Sequence, residues 1–283
     1  MKDNDAFGDR MKLYEQAEAG KRLMPLLPIC VRIDGKGFSK WTKGLDRPYD
    51  SRLSKLMVET TKYLVDNIDG CKIGYTQSDE ISLVIHSDSV ASQVFFDGKL
   101  QKLCSVIASM TTAFFNSKKD LMFIGYDSQV ISCPLPNRDR GYAIFDARVW
   151  NVPNMMEAAN TLLWREQDAT KNSISMASHH YFGHKKNLGL TGAQKQEMLF
   201  AEKGVNWNDY PTYFKRGVFV QKRSVFRNLT QEELNKIPEE HRPTEPVQRS
   251  EVVELDMPPF GKVVNRTEVI FLGDKPLTIE DIR

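Results

Sequence analysis

A chain of 283 residues is long enough for one large domain or two modest ones and can bury a sizeable core. Its 41% apolar and 27% charged residues exclude general disorder, and a net charge of +2 leaves any preference for a partner to local patches. The opening MKDNDAFGDRMK is charged without an apolar core, and no run approaches the roughly 20 apolar residues of a membrane span, so neither a secretory signal nor a membrane protein is expected and the chain reads as cytoplasmic.

Pro28 precedes a short β-prone run, 29–33 (ICVRI), that ends at Asp34-Gly35. From Leu53, residues Leu56, Met57, Thr60 and Leu64 recur at the spacing of an amphipathic helix, with Asp50 or Ser51 as its cap. Residues 71–76 and 81–85 read as two strands joined across Gln77-Ser78-Asp79-Glu80. A second helix carries Leu100, Leu103, Cys104, Ile107, Thr111 and Phe114 on one face, and 142–149 reads as a fourth strand. The order β-α-β-β-α-β is the ferredoxin-like arrangement of an α+β fold. The handedness of β-α-β crossovers makes strands one and two parallel, so Asp34 and Asp79–Glu80 should meet at one edge of the sheet.

Beyond Val149 the pattern turns helical, with one long helix expected from 154 to about 177 and an interruption near Asn172-Ser173. Residues 185–227 carry a local net charge of +6, and 228–283 a net of −5 with prolines at 238, 243, 246, 258, 259 and 276. The domain reading is therefore 1–150 as a palm-type unit, 151–227 as a helical, basic region packed on it, and 228–283 as an acidic extension. The four cysteines, Cys30, Cys71, Cys104 and Cys133, form no CxxC pair, which argues against a zinc ribbon or a disulfide framework. Cys30 and Cys104 sit in apolar runs and read as core thiols of a reducing compartment.

Two carboxylates converging on one sheet edge suit Mg²⁺, which takes a few carboxylates plus substrate phosphates and keeps several waters. Gly35-Lys36-Gly37-Phe38-Ser39 follows Asp34, and its glycines let backbone approach an anion. Lys36, Lys40, Lys43 and Arg47 lie nearby to neutralise phosphate charge. By themselves, Asp-Gly after a strand and Asp-Glu at a hairpin tip read equally as solvated turns; their convergence is what makes them candidates.

The blocks RIDGKGFSKWTKGLDRPYD (32–50) and GYTQSDEISLVI (74–85) resemble the signature blocks of the tRNA-His guanylyltransferase-like family, the 3′–5′ nucleotide polymerases. FDARVWNVP (145–153), WREQDATKNSIS (164–175) and GLTGAQKQEMLFAEKGVNWNDYPTYFKRG (189–217) extend the match. The resemblance implies a palm fold and two Mg²⁺ ions ligated by Asp34 and Asp79 with the Gly35 carbonyl. It implies Glu80 as a further acidic residue needed for activity. It implies nucleotide contacts from residues 35–39 (Gly35, Lys36, Gly37, Phe38, Ser39) and Ser78, and a family lysine that appears as Arg47, with Lys43 nearby. The implied reaction activates an RNA 5′ end with ATP and joins it to the 3′-hydroxyl of an incoming GTP or other nucleotide. Lys195, Lys215 and Arg216 match basic positions of the family and are the first candidates for tRNA contact. A homotetramer, or at least a dimer, is also implied. Eukaryotic members carry His-Ile-Asn-Asn, a stretch linked to anticodon recognition, where this chain has Thr170-Lys171-Asn172-Ser173; only Asn172 is retained, and it joins the candidates for tRNA contact. The chain therefore looks more like the bacterial, archaeal and phage-type branch, whose members repair 5′-truncated tRNAs.

Between Lys185 and Arg227 the cations interleave with Trp207, Tyr210, Tyr213, Phe214, Phe219 and Phe226, either an RNA-stacking platform or core aromatics. His179, His180 and His184 lack an evident third partner for a metal. Gly189-Leu190-Thr191-Gly192 matches the GXXG of KH domains only formally. The Phe95-Phe96 and Phe114-Phe115 pairs read as core packing. Two other functions fit less well: a palm-type nucleotide cyclase, and a non-catalytic RNA-binding protein with a degenerate palm.

Overall fold

Among the described residues, six strands form one sheet: β1 (Ile29–Gly35), β2 (Cys71–Gln77), β3 (Glu80–Ile85), β4 (Phe145–Asn151), β5 (Val218–Arg227) and β6 (Val247–Glu254). Their order is β4-β1-β3-β2-β5-β6 and every neighbouring pair is antiparallel. The computed structural model describes residues 6–89, 94–124, 141–243 and 245–283, without the side chains of 121–124, so Cys133 lies outside the described residues. The longer helices are α1 (Ala6–Ala19), α2 (Ser51–Asn67), α3 (Leu100–Ile124), α4 (Met155–Asn187), α5 (Gly192–Lys203) and α6 (Arg266–Phe271). Among the described residues, no helix is long and apolar enough to cross a membrane.

The sheet is covered on both faces, which explains why its central strands read as continuous apolar runs. One face buries Ile29, Val31, Ile33, Ile81, Leu83 and Ile85 against Leu56, Met57 and Leu64 of α2 and Leu103, Ile107 and Phe115 of α3. The other buries Cys30, Ile73, Tyr75 and Val84 against Ala158, Ala159 and Leu162 of α4. Each fully buried Leu or Ile contributes about 1.5–3 kcal/mol relative to exposure. Asp50 caps α2, accepting the N–H groups of Arg52 and Leu53 at 2.9 and 3.3 Å. β1 and β2 are both antiparallel to β3, which lies between them, so they run parallel to one another as expected.

Two boundaries differ from the sequence reading. The fourth strand starts at Phe145 rather than 142, because the Asn116 side chain on α3 accepts the Ala143 N–H at 3.0 Å and donates to the Ala143 carbonyl at 2.8 Å. That stretch is tied to a helix before it can join the ladder. The long helix passes Asn172-Ser173 without a break: buried Ser173 shares its hydroxyl between the Thr170 and Lys215 carbonyls. The deviation comes at Gly183, with φ 68°.

The segment read as an acidic extension contributes to the sheet and to the core. β6 pairs with β5 along its length, and Met257, Phe260, Val263, Val269 and Ile270 join the α4-side cluster. Buried Glu166 of α4 ties this segment down, accepting the Phe260 N–H at 3.0 and 2.9 Å, one contact per carboxylate oxygen.

Candidate active site at the β1 end and the β2–β3 turn

Register brings the acidic residues together. Asp34 is the cross-strand partner of Glu80 on β3 and of Asp146 on β4, so three acidic residues stand in one row at the end of the sheet. Paired residues of an antiparallel ladder point to the same face. Here that is the α4 face, since Ile33 and Ile81, one residue away, belong to the α2–α3 core. Asp79 follows at the tip. Ser78 beside it has φ 55°, in the left-handed region where glycine is the ordinary choice. A glycine would lose one contact: the Ser78 hydroxyl donates to Asp79 Oδ1 at 3.0 Å. Burial pushes the Asp79 carboxyl above the usual carboxylate range; the Ser78 bond opposes this and the nearby charge of Asp34 adds to it.

Glu80 has a different environment. Arg165 of α4 donates to both its oxygens, Nε to Oε1 at 2.5 Å and Nη2 to Oε2 at 2.8 Å, in a bidentate pair. The side chains of Arg165 and Glu80 are only 11% and 18% exposed. Burial still leaves Glu80 above its usual range, with Arg165 pulling the other way. Arg165 also reaches Asp168 at 3.0 Å and lies over the Trp164 ring. Arg165 lies within the block 164–175 that resembles the family, and its spacing alone assigns it no task. The available signal was that a carboxylate half-buried at a hairpin base needs a cation.

The glycine turn is built by contact and by backbone. A Cβ on Gly35 would lie 2.3 Å from the Phe38 ring, which folds back over it. Gly37, at φ 62°, opens the one-turn helix Phe38–Trp41, whose first N–H groups have no acceptor within the helix. Lys36, Ser39, Lys43 and Arg47 are exposed.

Two cavities flank the tip and share Gln77, Ser78, Asp79 and Met176. The first, about 290 Å³, has an aromatic wall of Phe38, Tyr49, Tyr213 and Phe214 and a polar rim that includes Ser39, Asp46 and Arg47. Of the two basic candidates for the family lysine, Arg47 lines this cavity and Lys43 is not among its lining residues. The second, about 320 Å³, is polar: Asp34, Asp79, Glu80 and Arg165 face Asn172, Ser175 and His179.

The candidate RNA contacts separate. Asn172 lines the polar cavity, and Lys195 donates to Ser175 Oγ beside it at 3.1 Å. Lys215 turns to the Asn208 carbonyl and the Trp207 ring, and Arg216 pairs with Glu166 at 3.5 Å beside a different cavity. Most of the interleaved aromatics are structural. Phe214 and Phe219 are buried, Trp207, Tyr210 and Tyr213 pack round Phe214, and Phe226 is the exposed one at 72%. Gly189–Gly192 leads from the end of α4 into α5, whose start is closed by a Thr191–Gln194 capping box. Among the described residues, no group of three or more His, Cys, Asp or Glu side chains is placed to hold a metal ion.

The comparisons with known proteins converge on one family. The family model described as tRNAHis guanylyltransferase matches residues 8–153. The tRNA(His) guanylyltransferase of Neurospora crassa is 30% identical over 244 residues, 81% of this chain and 76% of the relative. A bacterial tRNA(His) guanylyltransferase-like protein in complex with ATP superposes with a TM-score of 0.68 at 42% identity, covering 76% of this chain and 88% of that one. Another bacterial guanylyltransferase-like structure, in complex with GTP, gives 0.69 at 35% identity and covers 91% and 95%. With a family model matched over half its length and a relative at this identity, the chain belongs to the tRNA-His guanylyltransferase family of nucleotidyltransferases.

Proposed function

We propose that this chain adds nucleotides to the 5′ end of tRNA in the 3′–5′ direction, from a palm-type domain, as templated repair of truncated tRNA or as G addition to tRNA-His. The observation that carries the reading is the pair of cavities meeting at Asp79, because joining a nucleotide to an RNA end needs two substrate seats on one reactive edge. The strand order β4-β1-β3-β2, with α2 and α3 on one face, supports the palm assignment.

The chemistry has two steps. An oxygen of the RNA 5′-monophosphate attacks the α-phosphorus of ATP; a phosphoanhydride forms and pyrophosphate leaves. The 3′-hydroxyl of the incoming GTP or other nucleotide then attacks the activated 5′-phosphorus, forming a phosphodiester and expelling AMP as the hydroxyl proton is lost. Such transfers depend on positioning and charge neutralisation more than on a protein nucleophile. The aromatic wall receives the base and Arg47 the triphosphate. Ser78 orients Asp79, and Arg165 holds Glu80 so that it stiffens the tip. Glu80, with both oxygens engaged, supports the site and Asp34 and Asp79 face the substrates.

The residues present fit Mg²⁺. Burial and the charge of Asp34 push Asp79 upward, and among the described residues no Lys, Arg or His forms an ion pair with Asp34 or Asp79. Asp34, Asp79 and the Gly35 carbonyl would hold two ions, which when bound neutralise phosphate charge and steady the attacking and leaving oxygens.

The test is an incubation with Mg²⁺, ATP and labelled GTP of full-length tRNA-His and of a tRNA lacking its first nucleotide, with G as the templated base. Lengthening of the truncated RNA by wild type and not by Asp79→Asn is the expected result. Equal activity of Asp79→Asn refutes the site assignment, and no addition to either RNA refutes the function.

A further inference from the structure

Of the three histidines near the end of α4, His179 lines the polar cavity. α4 turns Asn172, Ser175, Met176 and His179 toward this cavity at spacings of three and four, a single helical face. The facing wall is Asp34, Asp79 and Glu80. Lys195 of α5 reaches the α4 wall through its 3.1 Å bond to Ser175. The His184 ring lies 5.7 Å from that of His179. Partial burial, then the charges of Lys195 and His184, hold the His179 imidazole below its ordinary value, which places all three groups in one electrostatic neighbourhood. One wall is therefore acidic, and the other offers imidazole, amide, hydroxyl and ammonium donors.

A donor wall of this composition fits a terminal phosphate, whose oxygens accept several hydrogen bonds at once. Two phosphates could supply that chemistry: the 5′ terminus of the RNA, or the triphosphate of a nucleotide. Position favours the first. The aromatic cavity across the tip has its own basic rim in Arg47, whereas the histidine wall lies on the other side of Asp79 and is built from the two helices that carry Asn172 and Lys195. We propose that His179 recognises the 5′-terminal phosphate of the RNA, donating a hydrogen bond to it while Lys195 closes the seat. This rests on the reading of the chain as a 5′-end nucleotidyltransferase.

The test compares binding of one truncated tRNA with a 5′-phosphate or a 5′-hydroxyl, without nucleotide, by the full chain and its His179→Ala, His179→Gln and His180→Ala variants. One hydrogen bond to a charged group predicts roughly tenfold tighter binding of the phosphorylated RNA by wild type. His179→Ala should reduce that preference to below about twofold, His179→Gln should keep part of it, and His180→Ala should keep all of it. Affinity for the hydroxyl RNA should be common to all four. In the addition assay His179→Ala should raise KM for RNA about tenfold and leave kcat and the nucleotide KM within about twofold. An undiminished phosphate preference in His179→Ala overturns the proposal, and so does a rise in the nucleotide KM instead of the RNA KM. Nucleotide addition by wild type with unchanged discrimination by His179→Ala removes this inference alone. Lost discrimination in a protein that adds no nucleotide removes the activity and leaves the phosphate seat.

Discussion

Replacing Arg165 by Met tests whether the tip of the β2–β3 turn depends on a helix 85 residues away in sequence. The substitution keeps an unbranched side chain over Trp164 but leaves the Glu80 carboxylate without its cation. Because the two side chains are 18% and 11% exposed, solvent screening is small and the pair behaves as a buried one. Removing one partner of such a pair costs about 3–5 kcal/mol, whereas neutralising Glu80 in Glu80→Gln should cost about 1–2 kcal/mol. The double variant leaves no stranded charge, so the two losses should fall short of additive by about 2 kcal/mol. Urea unfolding reads this as shifts in midpoint at constant slope. Arg165→Lys keeps the charge and loses the fork, and should fall between wild type and Arg165→Met. Nucleotide addition by Arg165→Met should drop about 10- to 100-fold in kcat, as expected when a positioned group drifts by an ångström. A cost for Arg165→Met below 1 kcal/mol, or coupling under about 0.5 kcal/mol, would show an ordinary surface ion pair and refute the argument.

Ser78→Gly should relax the left-handed backbone while freeing Asp79 Oδ1, so stability should hold or rise by up to about 1 kcal/mol as kcat falls; a fall in stability with kcat unchanged contradicts that division. Asp50→Asn tests the cap of α2. Burial pushes the Asp50 carboxyl up, but hydrogen bonds and charge from Arg52, with the N–H groups of Asp46 and Leu53, hold it below its ordinary value. The folded state thus binds fewer protons than the unfolded one near pH 4. This stability is present above the unfolded value of about 3.9 and is lost as pH falls through the lower folded value. Wild type should therefore lose its advantage over Asp50→Asn, about 1–2 kcal/mol near neutrality, on acidification; an advantage independent of pH would rule out the carboxylate as its source. Glu166→Leu should strand the Phe260 N–H and Arg216, cost about 2–3 kcal/mol, and expose the chain after residue 254 to limited proteolysis; an unchanged digestion pattern would mean that apolar packing alone holds the segment.

The parts of the fold that were legible are those in which local pattern and tertiary need coincide. The run 29–33 is apolar because β1 is covered on both faces, and the 3–4 spacing from Leu53 marks the face that α2 buries. Asp50 followed by Ser51 signalled a cap that the backbone uses. The start of β4 was misplaced because Asn116, far away in sequence, competes for the Ala143 backbone. The C-terminal segment was the least legible. The β6 sequence VQRSEVVE is mostly polar, and Phe260, Val263, Val269 and Ile270 are buried from turns and short helices with no period to read. Asp34 and Asp79–Glu80 could be brought together from strand order alone. Arg165 could not, because its role depends on where a long helix crosses the sheet. The aromatics at 207–219 show the converse limit: composition fitted a stacking platform and a core equally, and the buried rings of Phe214 and Phe219, with Tyr213 half-buried beside them, make it a core.

Strand register puts Asp146, Asp34 and Glu80 in line and Asp79 at the adjacent tip, a concentration of negative charge that opposes folding unless each member is compensated. The chain compensates them unequally. Glu80 is closed off by Arg165, and exposed Asp146 lies 3.5 Å from Arg148. Asp79 is held by the Ser78 hydroxyl; burial raises its carboxyl and the like charge of Asp34 adds to that. Asp34 and Asp79, with no ion pair among the described residues, both line the polar cavity, and Asp79 lines the aromatic one as well. A cation bridging Asp34 and Asp79 would therefore relieve a repulsion already present in the folded chain, and Mg²⁺ should raise the unfolding temperature of wild type without any nucleotide. Asp79→Asn should be more stable than wild type in chelator and should lose that advantage as Mg²⁺ is added. A variant whose stability tracks wild type at every Mg²⁺ concentration would mean that the acidic row is solvated and binds no ion.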